Sequence, residues 1–211
     1  FVLPMGIFFL VSSFLSKIGK EGKKIRQLAI GKGSRRNVVQ VYANGGVPML
    51  LAIWWFYNPS EILYVAYLAS VAAAAADTWA TEIGFYANEA PRNCITFRRM
   101  EPGASGGVTL LGTVGALLGA GLIALSGRFL MTDTSALTLV VAAGFTANFF
   151  DSVLGAIVQA KYVCDGCNKQ VEVAHHCDKK TTLFSGSGLI NNDSVNLLCT
   201  LVGGAIILMM G

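Results

Sequence analysis

Charge is the scarcest property of this sequence. Asp, Glu, Lys and Arg make up 13% of its 211 residues, against 54% hydrophobic, and the mean hydropathy is +0.57. A water-soluble domain carries about 25% charged residues, so this composition excludes an ordinary soluble fold. The few charges are also bunched. They leave six intervals almost free of them, at 1–16, 39–57, 61–87, 106–126, 134–160 and 189–210. Each approaches the length of about 20 residues that a bilayer core demands. The expected fold is an all-α integral membrane protein of about six transmembrane helices, one transmembrane domain over 1–211. The first interval has no basic n-region or clear cleavage site, which argues against a signal peptide. The chain opens FVLPMG without an initiator Met, so more sequence is expected upstream.

Basic residues are missing from alternate connections. The segment from Lys17 to Arg36 holds eight Lys and Arg, 91–105 holds three and 161–188 holds four, while 58–61 and 126–135 share only Arg128. By the positive-inside rule the three basic connections are cytoplasmic. A multi-pass protein of a bacterial inner membrane or its equivalent follows, with its active face cytoplasmic. Its basic face suits anionic headgroups or an anionic substrate, and no nucleic-acid partner is expected.

Polar residues are almost absent from the outer halves of the segments, such as MLLAIWWF and AIILMM. They gather in the inner halves instead. Gln40 and Asn44 open the second segment, while Asp77, Thr78, Thr81 and Glu82 close the third. PGASGG precedes the fourth. Asn148, Asp151 and Gln159 close the fifth, and Asn191, Asn192, Asp193 and Asn196 open the sixth. Asp151, Gly155 and Gln159 read as one i, i+4, i+8 stripe. Asp77 and Glu82 lie about 140° apart around a helix, so they do not form one pair. An aspartate within a span costs roughly 2.5–3.5 kcal/mol to insert. Three of them need compensation, and intramembrane ionisable residues mark function by default.

Carboxylates with amide and hydroxyl oxygens are hard donors, suited to Mg²⁺ or Mn²⁺. Asp77, Asp151 and Asp193 are the candidate metal ligands, with Glu82 as a fourth catalytic carboxylate. The loops GKGSRR and TFRRMEPGASGG, read as flexible, bring Arg35, Arg36, Arg98 and Arg99 as polyphosphate clamps. PGASGG, with Ser105, Gly106 and Gly107, is not a Walker A sequence. It offers backbone N–H groups at a helix start to a phosphate, or else marks a tight loop packed close to a helix. A metal, basic clamps and a lipid-facing scaffold point to phosphoryl or nucleotidyl transfer onto a membrane-borne acceptor.

The set QVYANGG, ADTWATEIG, PGASGGVTLLGT, FFDSVLGAIVQ and INNDSVN resembles the integral-membrane family that includes the phytyl-phosphate kinases, itself distantly similar to the phytol and dolichol kinases. The motifs span 40–196, most of the chain. The resemblance implies a CTP-dependent kinase, using CTP or another nucleoside triphosphate, that converts a prenyl phosphate (phytyl, geranylgeranyl or similar) to its diphosphate. It carries over to Asn44, Asp77, Glu82, Gly106, Gly107, Asp151, Asn192, Asp193 and Asn196. Gln40, Thr81, Asn148 and Gln159 join the candidate binding set from the residue pattern alone. The competing readings are a lipid cytidylyltransferase, an ion-coupled transporter, and a scaffold whose basic loops bind anionic lipid. Only the transferred group separates the first from the kinase. A transporter needs a polar route through both membrane halves, and a scaffold leaves the buried aspartates unexplained.

The loop 161–188 departs from the plant-type pattern with VCDGCNKQVEVAHHCDKK. Cys164 and Cys167 form C-x-x-C, followed by His175, His176 and Cys177. Four such ligands suit a small structural Zn²⁺ site. Adjacency strains joint ligation by His176 and Cys177, so the expected set is Cys164, Cys167, His175 and Cys177.

Overall fold

The computed structural model describes residues 1–18 and 38–210; Arg35 and Arg36 lie outside these. Within them the chain forms six α-helices: α1 (Val2–Lys17), α2 (Val38–Tyr57), α3 (Glu61–Gly84), α4 (Leu110–Gly127), α5 (Ser135–Ile157) and α6 (Asn192–Leu208). Short strands β1 (Arg92–Asn93) and β2 (Gly107–Val108) pair between α3 and α4. Five more, β3 (Lys161–Val163), β4 (Gln170–Val171), β5 (His175–His176), β6 (Lys179–Lys180) and β7 (Thr182–Ser185), lie between α5 and α6. They make a three-stranded sheet in the order β4-β3-β7 and a β5–β6 hairpin.

Helices α2, α3, α4 (with the 3₁₀ turn to Leu130) and α5 are long and apolar enough to cross a membrane, whereas α1 and α6 are shorter apolar helices. Their outward faces carry exposed large apolar residues, including Leu110, Leu118, Leu125, Phe149 and Phe150. In lipid this is the favourable arrangement, because tails gain nothing from hiding leucine.

Small residues occupy the inside. Helix α3 is the hub: 83% of its apolar window is buried among its neighbours, against 17% for α2. Its alanine run, Ala72 to Ala76, is at most 1% exposed, and glycines on three helices close on it. A Cβ added at Gly112, Gly115 or Gly119 of α4 would lie 2.8 Å from the carbonyl oxygens of Ala80, Trp79 and Ala75 respectively. One added at Gly144 of α5 would lie 2.9 Å from Ala72 Cβ, and at Gly203 of α6, 2.8 Å from Ala69 O. With no side chain between them the backbones approach to a distance that dispersion and carbonyl contacts reward.

Side-chain hydrogen bonds then fix the axial register. Ser70 Oγ donates to Thr200 O at 2.8 Å, and Thr200 Oγ1 to Ala43 O at 3.3 Å, joining α3, α6 and α2. Trp79 Nε1 donates to Ser12 Oγ at 3.1 Å, tying α3 to α1. At the far end Tyr64 OH donates to Gly127 O at 2.9 Å and Tyr67 OH to Phe1 O at 2.6 Å.

Two expected boundaries move. Helix α4 starts at Leu110, capped by the Thr109 side chain, which accepts from Gly112 N at 3.0 Å; β2 and this cap separate it from PGASGG. Helix α5 ends at Ile157, so Gln159 lies beyond the helix and the i+8 stripe is broken. Asp151 is then about 9 Å from the helix end.

Filling a glycine seam forces the hub apart. Gly119→Val is expected to destabilise the protein by about 1–3 kcal/mol, read as a lower midpoint of thermal unfolding in detergent. Gly121→Ala, where an added Cβ meets nothing within 4 Å, is expected to leave the midpoint unchanged or raise it.

Candidate active site

Three buried residues, Ala73 of α3, Ala147 of α5 and Cys199 of α6, pack into one junction, with Cys199 Sγ 3.9 Å from Ala73 O. Going one turn toward the polar end, α3 presents Asp77 and α5 presents Asp151, each four residues on and about 6 Å further along. Helix α6 runs the other way, so three residues back from Cys199 it presents Asn196, and one turn further Asn192. Both carboxylates lie within electrostatic reach of the buried Cys199 thiol. Asn148, one turn from Asp151 on the same helix, is buried, whereas Asp77, Asp151, Asn192 and Asn196 are half-buried.

The other carboxylates point elsewhere. Glu82 accepts a short hydrogen bond from Ser16 Oγ of α1, on the same side of α3 as the Trp79–Ser12 bond. The angle between Asp77 and Glu82 read from the sequence thus becomes a division of labour between two faces. Asp193 is about 120° around α6 from Cys199 but in line with Thr200, seven residues on; Thr200 contacts α2. Asp193 therefore lies toward the start of α2, which carries Gln40 and Asn44, both half-buried. Among the described residues, the aspartates form no group of three whose ligand oxygens lie within 4.8 Å of one another. A ligand with several oxygens of its own would have to complete the set.

The loop from Pro91 to Val108 is held by its own hydrogen bonds. Its first ten residues form a hairpin in which Asn93 N donates to Arg98 O and Met100 N to Pro91 O, both at 2.8 Å. Asn93 Oδ1 accepts from Ile95 N and Thr96 N. Arg98 and Arg99 ride on this hairpin and are exposed; Thr81, in the last turn of α3, is exposed too.

PGASGG follows the close-packed alternative. Gly106 has φ +85°, and a Cβ there would sit 2.6 Å from Ala156 Cβ. Gly107 N donates to Ala104 O at 3.2 Å. Ser105 N donates to Glu172 Oε1 at 2.8 Å, while Glu172 Oε2 accepts from Gln159 Nε2 at 3.0 Å. One loop amide expected to meet a phosphate thus already meets a carboxylate, and Gln159, 3% exposed, is turned toward Glu172. Lys161 Nζ donates to Ala156 O at 3.2 Å; burial lowers its pKa, against the opposing pull of Glu172 and Cys94. Burial also pushes the Cys94 thiol up. Glu172 was invisible in the sequence: a single acid between two valines carries no spacing signal.

In the β3–β7 segment, the sulfurs of Cys164, Cys167 and Cys177 and a ring nitrogen of His176 all lie within 4.8 Å of one another. His176 takes the position expected of His175, for two reasons. Successive strand residues face opposite ways, so β5 sends only one histidine inward. Cys177 and Asp178, at φ +54° and +57°, form the two-residue turn of the β5–β6 hairpin, whose positive φ values relieve the adjacency problem. Hydrogen bonding with His176 holds the Cys164 thiol down at about 6, while hydrogen bonding with Cys167 pushes Cys177 up to about 11.

Gly106→Ala is expected to displace the loop from α5, because both its φ and its neighbours exclude a Cβ. Limited proteolysis between 101 and 107 should then quicken, with the midpoint of unfolding lowered.

Known proteins bear on this arrangement. Over 199 residues the chain is 34% identical to an uncharacterised membrane protein of Methanocaldococcus jannaschii, covering 94% of this chain and 71% of the other. It is 30% identical over 222 residues to Protein PGR of Arabidopsis thaliana, covering 93% and 76%. Protein VTE6, chloroplastic, of the same plant is 24% identical over 215 residues, covering 99% of this chain and 57% of that one. No solved structure matches. The family model described as integral membrane protein DUF92 matches residues 1–204. The helices, the motif order and these relatives lead to one conclusion: the chain belongs to the DUF92 family of integral membrane proteins.

Proposed function

We propose that this protein is a CTP-dependent prenyl-phosphate kinase working at the cytoplasmic membrane face. The carrying observation is the junction of Ala73, Ala147 and Cys199, which supports a shared site for Asp77 and Asp151 one turn above it. The similarity to VTE6 and the motif resemblance to the phytyl-phosphate kinases support the reaction class. The described Lys and Arg, Arg128 excepted, sit in connections at this same end, which supports a cytoplasmic orientation.

In this reading the acceptor's isoprenoid chain lies in lipid against the apolar helix faces, and its phosphate enters at the aspartates. Asn148, Asn192 and Asn196 orient phosphate oxygens through their amide N–H groups. Arg98 and Arg99, exposed on their hairpin, meet the nucleotide's outer phosphates. The acceptor is already an anion at neutral pH, so no residue need remove a proton from it. An acceptor oxygen forms a bond to the γ-phosphorus while its bond to the bridging oxygen of CDP breaks, and CDP leaves. The carboxylate and amide oxygens fit a hard divalent cation. Asp77 and Asp151 would hold Mg²⁺, and the ion would neutralise charge on the polyphosphate.

Purified protein with Mg²⁺, γ-labelled CTP and phytyl, geranylgeranyl or farnesyl phosphate tests this directly. Label is expected in a lipid diphosphate, with Asp77→Asn and Asp151→Asn each lowering turnover by roughly 10²-fold or more. Label entering only from α-labelled CTP would reassign the protein as a cytidylyltransferase. Unchanged turnover in both variants would remove the aspartates from the site.

A further inference from the structure

We infer that Cys164, Cys167, His176 and Cys177 form a structural zinc site that braces Glu172 against the Ser105 loop. A tetrahedral zinc, with bonds of about 2.3 Å to sulfur and about 2.0–2.1 Å to nitrogen, sets sulfur and nitrogen ligands about 3.6 Å apart and sulfurs about 3.8 Å apart. The cluster is already near those spacings. His176 Nδ1 is 3.6 Å from Cys167 Sγ and 3.2 Å from Cys177 Sγ, and all four ligand atoms fall within 4.8 Å. Three thiolates and an imidazole are soft-to-borderline donors that select zinc over magnesium.

The backbone is shaped for this set. Cys164 and Cys167 sit on the turn joining β3 to β4, where Asn168 N donates to Cys164 O at 2.8 Å and Asn168 has φ +54°. Cys177 sits on the β5–β6 turn at φ +54°, a region a cysteine seldom adopts. Gly166, on the first of these turns, meets the second: a Cβ there would come 3.3 Å from Cys177 Cβ and 3.6 Å from Cys164 Sγ. The two turns approach each other through their cysteines, not through a hydrophobic core.

Glu172 lies on the chain between these two turns, immediately after β4. Pinning both turns therefore fixes the segment that carries it. Thr181 adds a second anchor, its Oγ1 donating to Val173 O at 2.8 Å and its N–H to Ala174 O at 2.9 Å. From there Glu172 reaches two parts of the bundle, Ser105 N before α4 and Gln159 Nε2 after α5. Metal occupancy at the hairpins is thereby coupled to the loop whose Gly106 packs on Ala156. This inference stands apart from the proposed reaction, and its readouts are metal content, spectrum and exchange.

The full chain, purified in detergent without chelators, is expected to carry about one zinc by elemental analysis. His176→Ala and Cys177→Ser should lose it, while His175→Ala, one residue away, should keep it. Refilling stripped wild-type protein with Co²⁺ should give thiolate-to-cobalt charge-transfer and tetrahedral d–d bands, so the test does not depend on variants that fail to fold. Stripping the metal should speed amide exchange of the peptide containing Ser105 by about tenfold. Glu172→Gln should show the faster exchange while retaining zinc. Wild-type protein with neither zinc nor a cobalt spectrum overturns the site. So does equal metal loss in His175→Ala and His176→Ala. Ser105 exchange indifferent to stripping overturns the bracing role.

Discussion

The approach of glycine Cα atoms to the carbonyls of α3 is the constraint on which the rest of this protein depends. Lipid gives apolar side chains no reason to leave it, so the bundle cannot be held by a hydrophobic core in the aqueous sense. It is held by backbones brought close enough to touch, at Gly112, Gly115 and Gly119 on one side of α3 and Gly144 and Gly203 on others. Where the glycines of α4, α5 and α6 close on it, along 72–76, this helix has little room for side chains beyond methyl groups. That accounts for Ala72 to Ala76 more directly than any preference for lipid.

The same packing makes Asp77 tolerable and places it. Because α3 is enclosed, Asp77 stands one turn above its junction with α5 and α6, at the level that Asp151 takes on α5. Ser70, Thr200 and Ala43 bond across three helices and set how far each helix extends toward the polar end. A slip of one turn, about 5.4 Å, would part the aspartates. Glu82 uses the opposite side of α3, where Ser12 and Ser16 hold α1. Asp77 and Glu82 thus face different neighbours from a single helix.

Helix number and polarity were legible in the sequence because lipid imposes a crude rule of length and apolarity. The gathering of Asp77, Asn148, Asp151, Asn192 and Asn196 toward one end of the bundle was legible for the same reason, since each violates that rule. The family, too, was legible in the motif set. What escaped depends on short-range geometry without periodicity. A two-residue turn at Cys177–Asp178 decided between His175 and His176. The early end of α5 at Ile157 removed Gln159 from the helix. Glu172 bridges segments 67 and 13 residues away, which no local pattern encodes. The small β-sheet between α5 and α6 consists of strands of two to four residues, too short to show alternation.

In the proposed reaction Asp77 and Asp151 serve one ligand at one place. Calorimetric titration of Mg²⁺·CTP into wild type, Asp77→Asn, Asp151→Asn and the double variant tests it most directly. A shared site predicts that each single substitution weakens binding at least about tenfold and that the double variant binds little worse than the weaker single. Losses that multiply in the double variant, or Asp151→Asn binding as tightly as wild type, would contradict it.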